Sequence, residues 1–287
     1  MATFATSDQL LVIIDPVSRR ADGESVRIAK DVLSAGAAST KVCVPEDPEE
    51  FARALARRGS RRPVVIGDDR ALTRAVALLH RQRALAECVL SVVPVGGSLS
   101  LAHALGVPTS PVAAARAVLE GSERRLDLLV DDSDGVVLGA LRIPAPPTAG
   151  GVLPADPSGR PWLQSLVRTL VPIRPSRPSR PSRPVAAPFP PGPARLRVEV
   201  DGTTLVDLDQ PVEAVSVTPG VSGSAEVVVR PSSVGAEAAV LQAYGRTVTV
   251  SGADFRYRAD AAVAGPVRRR TWTVRAGALA LTLPATQ

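Results

Sequence analysis

Aromatic side chains are scarce in this sequence of 287 residues, which holds four Phe, two Trp and two Tyr. A core must therefore be built from Val, Leu, Ala and Ile, and nucleic-acid binding by base stacking is not supported. Lysine occurs only at Lys30 and Lys41, so arginine carries nearly all the positive charge. Four arginines at residues 174–183 supply most of the net charge of +6, and the remainder is close to neutral. This distribution argues against a basic nucleic-acid-binding surface.

Metal-binding and export signals are also missing. Cys43 and Cys88 stand alone without metal-ligand spacing, and we expect them to be thiols in a reducing cytosol. No apolar run approaches the roughly 20 residues that span a bilayer. Residues 1–15 carry Asp8 and no basic n-region, which disfavours a secretory signal. We therefore expect a cytoplasmic protein with no metal site and no nucleic-acid partner. Peripheral attachment to a membrane surface and the oligomeric state are left open.

The length is near twice the usual size of one domain, and the pattern changes along it. Up to residue 145, short apolar runs alternate with helical patterns, which is typical of an α/β domain with a parallel sheet between two layers of helices. The runs at residues 10–14, 40–44, 64–66 and 89–93 are predicted strands. A capping Asp47 followed by Pro48 predicts one helix start, and a helix is expected over residues 71–86.

Residues 146–194 break this pattern and are predicted to be a linker. Residues 174–184 read RPSRPSRPSRP, in which proline excludes helix and central strand. Polyproline II is the expected conformation. From residue 195 to 287 the apolar period becomes two, so an all-β, sandwich-like domain of short strands is expected there. Asp201-Gly202 is a predicted turn, and residues 247–250, 255–257, 271–274 and 279–283 are four predicted strands.

The loops that follow the predicted strands carry the chemistry-bearing residues, because ligands of parallel sheets bind beyond the carboxyl ends of the strands. The first loop reads DPVSR at residues 15–19, and the second reads GDDRA at residues 67–71. The third, at residues 94–108, reads PVGGSLSLAHALGVP. These segments resemble the N-P-x-S-G, G-G-D-G-T and P-x-G-T-G-N-D-F-A-R-x-L-G-I-P motifs of diacylglycerol kinase-type lipid kinases, which are related in fold to NAD kinases and sphingosine kinases.

The resemblance implies an α/β nucleotide-binding domain over residues 1–145 and a β-rich domain over residues 195–287. It also implies phosphorylation of a lipid hydroxyl with ATP and Mg²⁺ as cofactors, and a lipid or membrane surface as partner. The cofactor-binding positions carried over from the motifs are Asp15, Ser18, Gly67, Asp69, Gly96, Gly97 and Ser98. For Asp69 an N-cap of the following helix is an equal alternative.

Each motif departs from the family at positions that approach phosphate. Asp68 and Arg70 stand where the second motif has glycines, and Asp68 adds negative charge there. Arg70 could instead attract phosphate, but through a side chain that needs space. In the third motif, Gly97 replaces threonine and Ser98 replaces glycine, and residues 99–100 replace the Asn-Asp pair. The lost groups are those that the family uses around nucleotide and metal.

The candidate catalytic base is Glu237, which occupies the place of the family's Asp after a P-x-A segment. Its extra methylene would displace the carboxylate by about an ångström, enough to affect proton abstraction. Asp260 falls near a later D-G-E motif. A solvated loop carboxylate is the favoured interpretation of both, and His80 is expected on a solvated helix face.

Three functions remain open. The first is an active, divergent lipid kinase in which Glu237 activates the lipid hydroxyl with ATP and Mg²⁺ bound. The second, which we favour, is a catalytically impaired or inactive relative that keeps the fold without a cofactor and acts by binding or regulation. In the third, the Arg-Pro repeat itself binds anionic headgroups or proline-recognition domains, although a plain spacer is the more ordinary interpretation.

Overall fold

The computed structural model describes residues 9–145, 193–220, 222–232 and 239–285, which fall in one compact unit. The Arg-Pro repeat and Glu237 lie outside these residues. The first half begins with a parallel α/β arrangement, as predicted. Its elements are β1 (Gln9–Ile14), α1 (Pro16–Ala21), α2 (Gly23–Gly36), β2 (Ser39–Cys43), α3 (Pro48–Ala56), β3 (Arg62–Gly67), α4 (Asp69–Arg81), β4 (Val89–Pro94), α5 (Ser100–Ala104) and α6 (Pro111–Glu120).

Strand β1 is buried on both faces because helices cover both sides of the sheet. Leu10 and Val12 face a core shared with α2 and α6, whereas Leu11 and Ile13 face a core shared with α3 and α4. The strand order β4-β3-β1-β2 is parallel throughout. The three-layer α/β prediction is thereby confirmed, including the continuous apolar run that indicated burial on both faces.

The strands that follow are antiparallel. They are β5 (Ser122–Asp131), β6 (Val136–Val137), β7 (Leu141–Ile143), β8 (Leu196–Val200), β9 (Thr203–Val206), β10 (Val212–Pro219), β11 (Ala225–Pro231), β12 (Leu241–Gly245), β13 (Thr247–Ala259) and β14 (Ala262–Leu283). Inward side chains of β8, β10, β11, β13 and β14 form a third core around the fully buried Trp272. The expected β-rich second half is confirmed. Within it, positive φ angles at Asp201 and Gly202 form the predicted turn.

The sequence interpretation differs from the structure at three places. Strand β5 and the short strands after it were not predicted. The runs expected as four strands in residues 247–283 are two long ones, because β-bulges bend β13 and β14 without ending them. Helix α4 ends at Arg81 instead of residue 86, since Arg83 takes a left-handed φ of 54°.

Strand β14 connects the two kinds of sheet. It pairs in parallel with β4 and antiparallel with both β5 and β13, so the described strands form one continuous hydrogen-bonded network from which β5, β6, β8 and β9 branch. The division into domains at residues 145 and 195 stays a prediction. Among the described helices, none is both long and apolar enough to cross a bilayer.

Candidate functional site

The loops after β1, β3 and β4 meet at one edge of the parallel sheet, where the motif residues were expected. The amide of Asp15 donates to Ile66 O at 2.9 Å, and the amide of Val95 donates to Gly67 O at 3.0 Å. A methyl group added at Gly67 would lie 3.0 Å from the Cβ of Asp15 and 2.6 Å from that of Ala71. Glycine is therefore required for this close approach of the loops.

Asp15 fixes the first loop. It is the N-cap of α1, and its Oδ2 accepts hydrogen bonds from the amides of Val17 and Ser18, both at 3.0 Å. Its Oδ1 forms an ion pair with Arg74 of α4 at 3.1 Å, and the guanidinium lies 5.8 Å from the ring centroid of Phe51. The carboxylate is 97% buried, so its hydrogen-bonding capacity is directed inward to the protein.

Asp68 closes the N-terminus of α4. Its Oδ1 accepts from the amides of Arg70 and Ala71, each at 3.1 Å, and it is the N-cap of the helix. The alternative that Asp69 caps this helix is therefore wrong. The two amides that a bound anion would use at this helix end already hold a carboxylate.

Asp69 joins the second loop to the third. It is 2% exposed, and its carboxylate accepts from the amides of Leu101 and Ala102, each at 3.0 Å, at the start of α5. The hydroxyls of Ser98 and Ser100 also donate to it, at 2.7 and 3.2 Å. Four donors from the chain surround this one carboxylate, which makes it an internal anchor for the loop.

Ser18 and Gly96 form the tightest contact between the loops. Gly96 has a φ of 110°, and a methyl group there would lie 2.9 Å from the Ser18 Oγ. Ser18 is 1% exposed, and its hydroxyl has no hydrogen-bond partner among the described residues. Gly97 lies beside the second loop, since a methyl group there would be 3.9 Å from the Asp68 carboxylate.

The residues present do not fit a nucleoside triphosphate held with Mg²⁺. Asp15, Asp68 and Asp69 each occupy two amides at the N-termini of α1, α4 and α5 with a carboxylate of the chain. A phosphate brought to these amides would displace a carboxylate and meet its negative charge. Within the described parts of the chain, no three His, Cys, Asp or Glu side chains converge as a metal site.

Asp260 is part of this region, and its interpretation as a solvated loop carboxylate is wrong. At the tip between β13 and β14, it accepts from the amides of Leu138, Gly139 and Ala140 at 2.7–3.0 Å. Burial raises the pKa of Asp260, and the charge of Asp69 adds to the rise, while the three amide donors oppose it. The sequence did not predict that Asp260 lies near Asp69, because residues 138–140, whose amides hold Asp260, carry no motif.

His80 was also misjudged as solvated. Its side chain is 20% exposed, and its Nε2 lies 2.7 Å from Asp134 Oδ1, which connects α4 to the turn after β5. The proposed base, Glu237, lies outside the described residues, so its role stays a prediction. The same holds for phosphate binding by the motif residues, whose positions are now known.

Comparison with known proteins shows the fold of the chain and a likeness of its first half to one protein family. Residues 9–130 match the model of the diacylglycerol kinase catalytic domain. A candidate diacylglycerol kinase from Bacillus anthracis str. Sterne has a similar structure, with a TM-score of 0.67 at 12% identity over 99% of this chain and 98% of that one. A diacylglycerol kinase from the same strain gives 0.66 at 11% identity over 97% and 98%. No curated protein matches the chain significantly.

The shared fold extends over the antiparallel half, whereas the family match covers the segment that carries all three motif loops. The three motif loops of this segment meet at one edge of the parallel sheet, as the motif resemblance predicted. Residues 9–130 are thus similar to the diacylglycerol kinase catalytic domain, and the chain shares the fold of these solved structures.

Proposed function

We propose that this chain is a lipid kinase-family protein that does not transfer phosphate from Mg-ATP and that acts by binding or regulation. The observation that carries the proposal is the occupation of three helix N-termini by the chain's own aspartates. In each case one carboxylate accepts hydrogen bonds from two consecutive backbone amides. These six amides are the donors that phosphate groups would need.

Electrostatics supports the same proposal. Amide donors and helix dipoles favour one negative charge at each helix start, and here an aspartate already supplies it. Arg74 neutralises Asp15 at 3.1 Å, but neither Asp68 nor Asp69 forms an ion pair with a described residue at that site. A triphosphate would therefore add negative charge beside the carboxylates of Asp68 and Asp69.

The test is Mg-ATP binding by calorimetry together with ATP turnover on diacylglycerol in mixed micelles. We expect neither binding nor turnover by the wild-type chain. Asp68→Gly would free the amides of Arg70 and Ala71 and remove the charge, whereas Asp68→Asn removes the charge and keeps the cap. Weak binding gained by Asp68→Gly and not by Asp68→Asn would identify amide occupation as the block.

One result would overturn the proposal and restore the active-kinase alternative. That result is robust turnover by the wild-type chain that Glu237→Ala abolishes while unfolding and Mg-ATP binding are unchanged. Such an outcome would assign Glu237 as the base and would mean that phosphate displaces the aspartates from the helix ends.

A further inference from the structure

Strand β2 is a free edge of the parallel sheet. It pairs with β1 on one side and has no partner on its other side among the described strands. The backbone N–H and C=O groups on that outer side are therefore available to an added strand. Val42 is 39% exposed, and Val44, just after the strand, is 40% exposed, so apolar side chains accompany the open edge.

A groove of about 330 Å³ lies beside this edge, between β2 and α3. Helix α3 packs its Phe51 and Leu55 into the core that contains Leu11 of β1, and it leaves Cys43 of β2 only half-buried. Lys41 is paired with Leu11 in the register, so its side chain is on the α3 side of the sheet. The groove thus has an apolar floor and opens at the unpaired edge of β2.

Positive charge is in excess along this groove. Its lining includes Lys41, Arg53 and Arg57 but only one carboxylate, that of Glu50. Glu50 is already engaged, because its Oε2 accepts from the amide of Glu46 at 2.8 Å and its Oε1 lies 3.8 Å from Arg53. Lys41 and Arg57 form no ion pair with a described residue. Acidic side chains brought into the groove would neutralise these two cations.

We infer that the edge of β2 binds an acidic segment of another protein, which adds to the sheet as an extended strand. Alternate side chains of a strand face opposite sides of a sheet. Those on the α3 side of the added strand would meet Lys41, Arg53 and Arg57. Those on the other side would pack on Val42, which is paired with Val12 and faces the α2 side. A segment in which acidic and apolar residues alternate fits both sides.

Other occupants fit the edge less well. Two β2 strands from two copies of the chain would bring both sets of cations to the same edge, and like charges across paired strands are destabilising. Nucleic acid has the negative charge but lacks the alternating backbone donors and acceptors that extend a sheet.

None of the motif residues borders the groove, so the inference goes beyond the proposed function. Peptide binding requires neither nucleotide nor turnover. A chain that transfers phosphate and binds the peptide would overturn the proposed function alone, whereas an inactive chain that does not bind it would overturn this inference alone.

The experiment is fluorescence anisotropy of labelled octapeptides titrated with the full chain. The probe SEVEVEVS alternates acidic and apolar residues, and we expect it to bind with an affinity that falls as NaCl is added. The peptide SEEVVEVS has the same composition without the alternation and should bind at least about tenfold more weakly. The peptide SKVKVKVS reverses the charge and should not bind.

Variants of the chain locate the site. An exposed ion pair changes an affinity by up to about fivefold, so Lys41→Gln with Arg57→Gln should weaken binding of SEVEVEVS roughly tenfold. The matched control, Arg81→Gln with Arg116→Gln, removes the same charge from exposed positions on α4 and α6 and should leave the affinity unchanged. Val42→Lys places a charge on the apolar side of the edge, a device that blocks strand pairing, and should abolish binding.

Circular dichroism checks that each variant folds. If the double variant does not, Arg57→Gln alone, at the exposed C-cap of α3, should still weaken binding by up to about fivefold. No binding of SEVEVEVS, equal binding of SEEVVEVS, or an affinity that these variants leave unchanged would each overturn the inference. So would a dimer in sedimentation equilibrium that Val42→Lys dissociates, because a second copy would then occupy the edge.

Discussion

Replacing Asp69 by alanine tests whether its carboxylate is an internal anchor or a ligand-binding group. The side chain is 2% exposed and accepts from two buried amides and two serine hydroxyls. A buried donor left without its acceptor costs about 1–3 kcal/mol. The hydroxyls of Ser98 and Ser100 can rotate to other partners, so the amides of Leu101 and Ala102 set the cost. We expect Asp69→Ala to lower the free energy of unfolding by about 3–5 kcal/mol.

Two companion variants calibrate this value. Asp69→Asn keeps an oxygen acceptor for the amides of Leu101 and Ala102 and should cost about 1–2 kcal/mol. Asp68→Ala removes an N-cap bond pair at a half-buried position and should cost about 1 kcal/mol. Urea unfolding of the wild type and the three variants, followed by circular dichroism and fitted with a common m-value, measures the three differences in unfolding free energy.

The opposite outcome would refute this assignment. Carboxylates kept for ligand binding are strained in the free protein, and their removal commonly stabilises it. A gain in stability on Asp69→Ala, or a loss below about 1 kcal/mol, would show that the four hydrogen bonds contribute little. The proposed block to phosphate binding would then lose one of its three carboxylates.

The remaining predictions concern the same loops and the hairpin tip. Gly96→Ala should destabilise the chain by about 1–3 kcal/mol, because the φ of Gly96 is 110° and the new methyl group would meet Ser18 Oγ. Adding Ser18→Ala should recover part of this loss, which thermal unfolding measures. No recovery of stability would contradict the contact between the two residues. Because burial raises the pKa of Asp260 in the folded chain, the folded state holds that proton more tightly than the unfolded state. The contribution of Asp260 to stability is therefore full below its unfolded pKa and is lost as pH rises through its folded pKa. Unfolding free energies measured from acidic to neutral pH should fall less steeply for Asp260→Asn than for the wild type, and parallel curves would contradict the raised pKa.

Local sequence was enough to place the site but not to describe its chemistry. The buried run of β1, the Pro48 helix start and the Asp201-Gly202 turn depend on interactions within a few residues, and they were predicted correctly. Strand β5 was missed because its first half is charged, and only pairing with β14 orders it. The bent strands β13 and β14 were divided for a similar reason, since bulges resemble strand ends in sequence.

The sequence by itself, set beside the motif that it resembles, determined that Asp68 places a carboxylate where the motif has glycine. Only the tertiary structure decided where each carboxylate is directed. Asp69 is next to Asp68 in the chain, yet its carboxylate accepts from the amides of Leu101 and Ala102, 32 and 33 residues away, because the third loop folds over the second. Asp260 meets the amides of Leu138, Gly139 and Ala140 across more than 100 residues for the same reason. Hydrogen-bond partners at such separations are set by the packing of strands and loops, which no local pattern records.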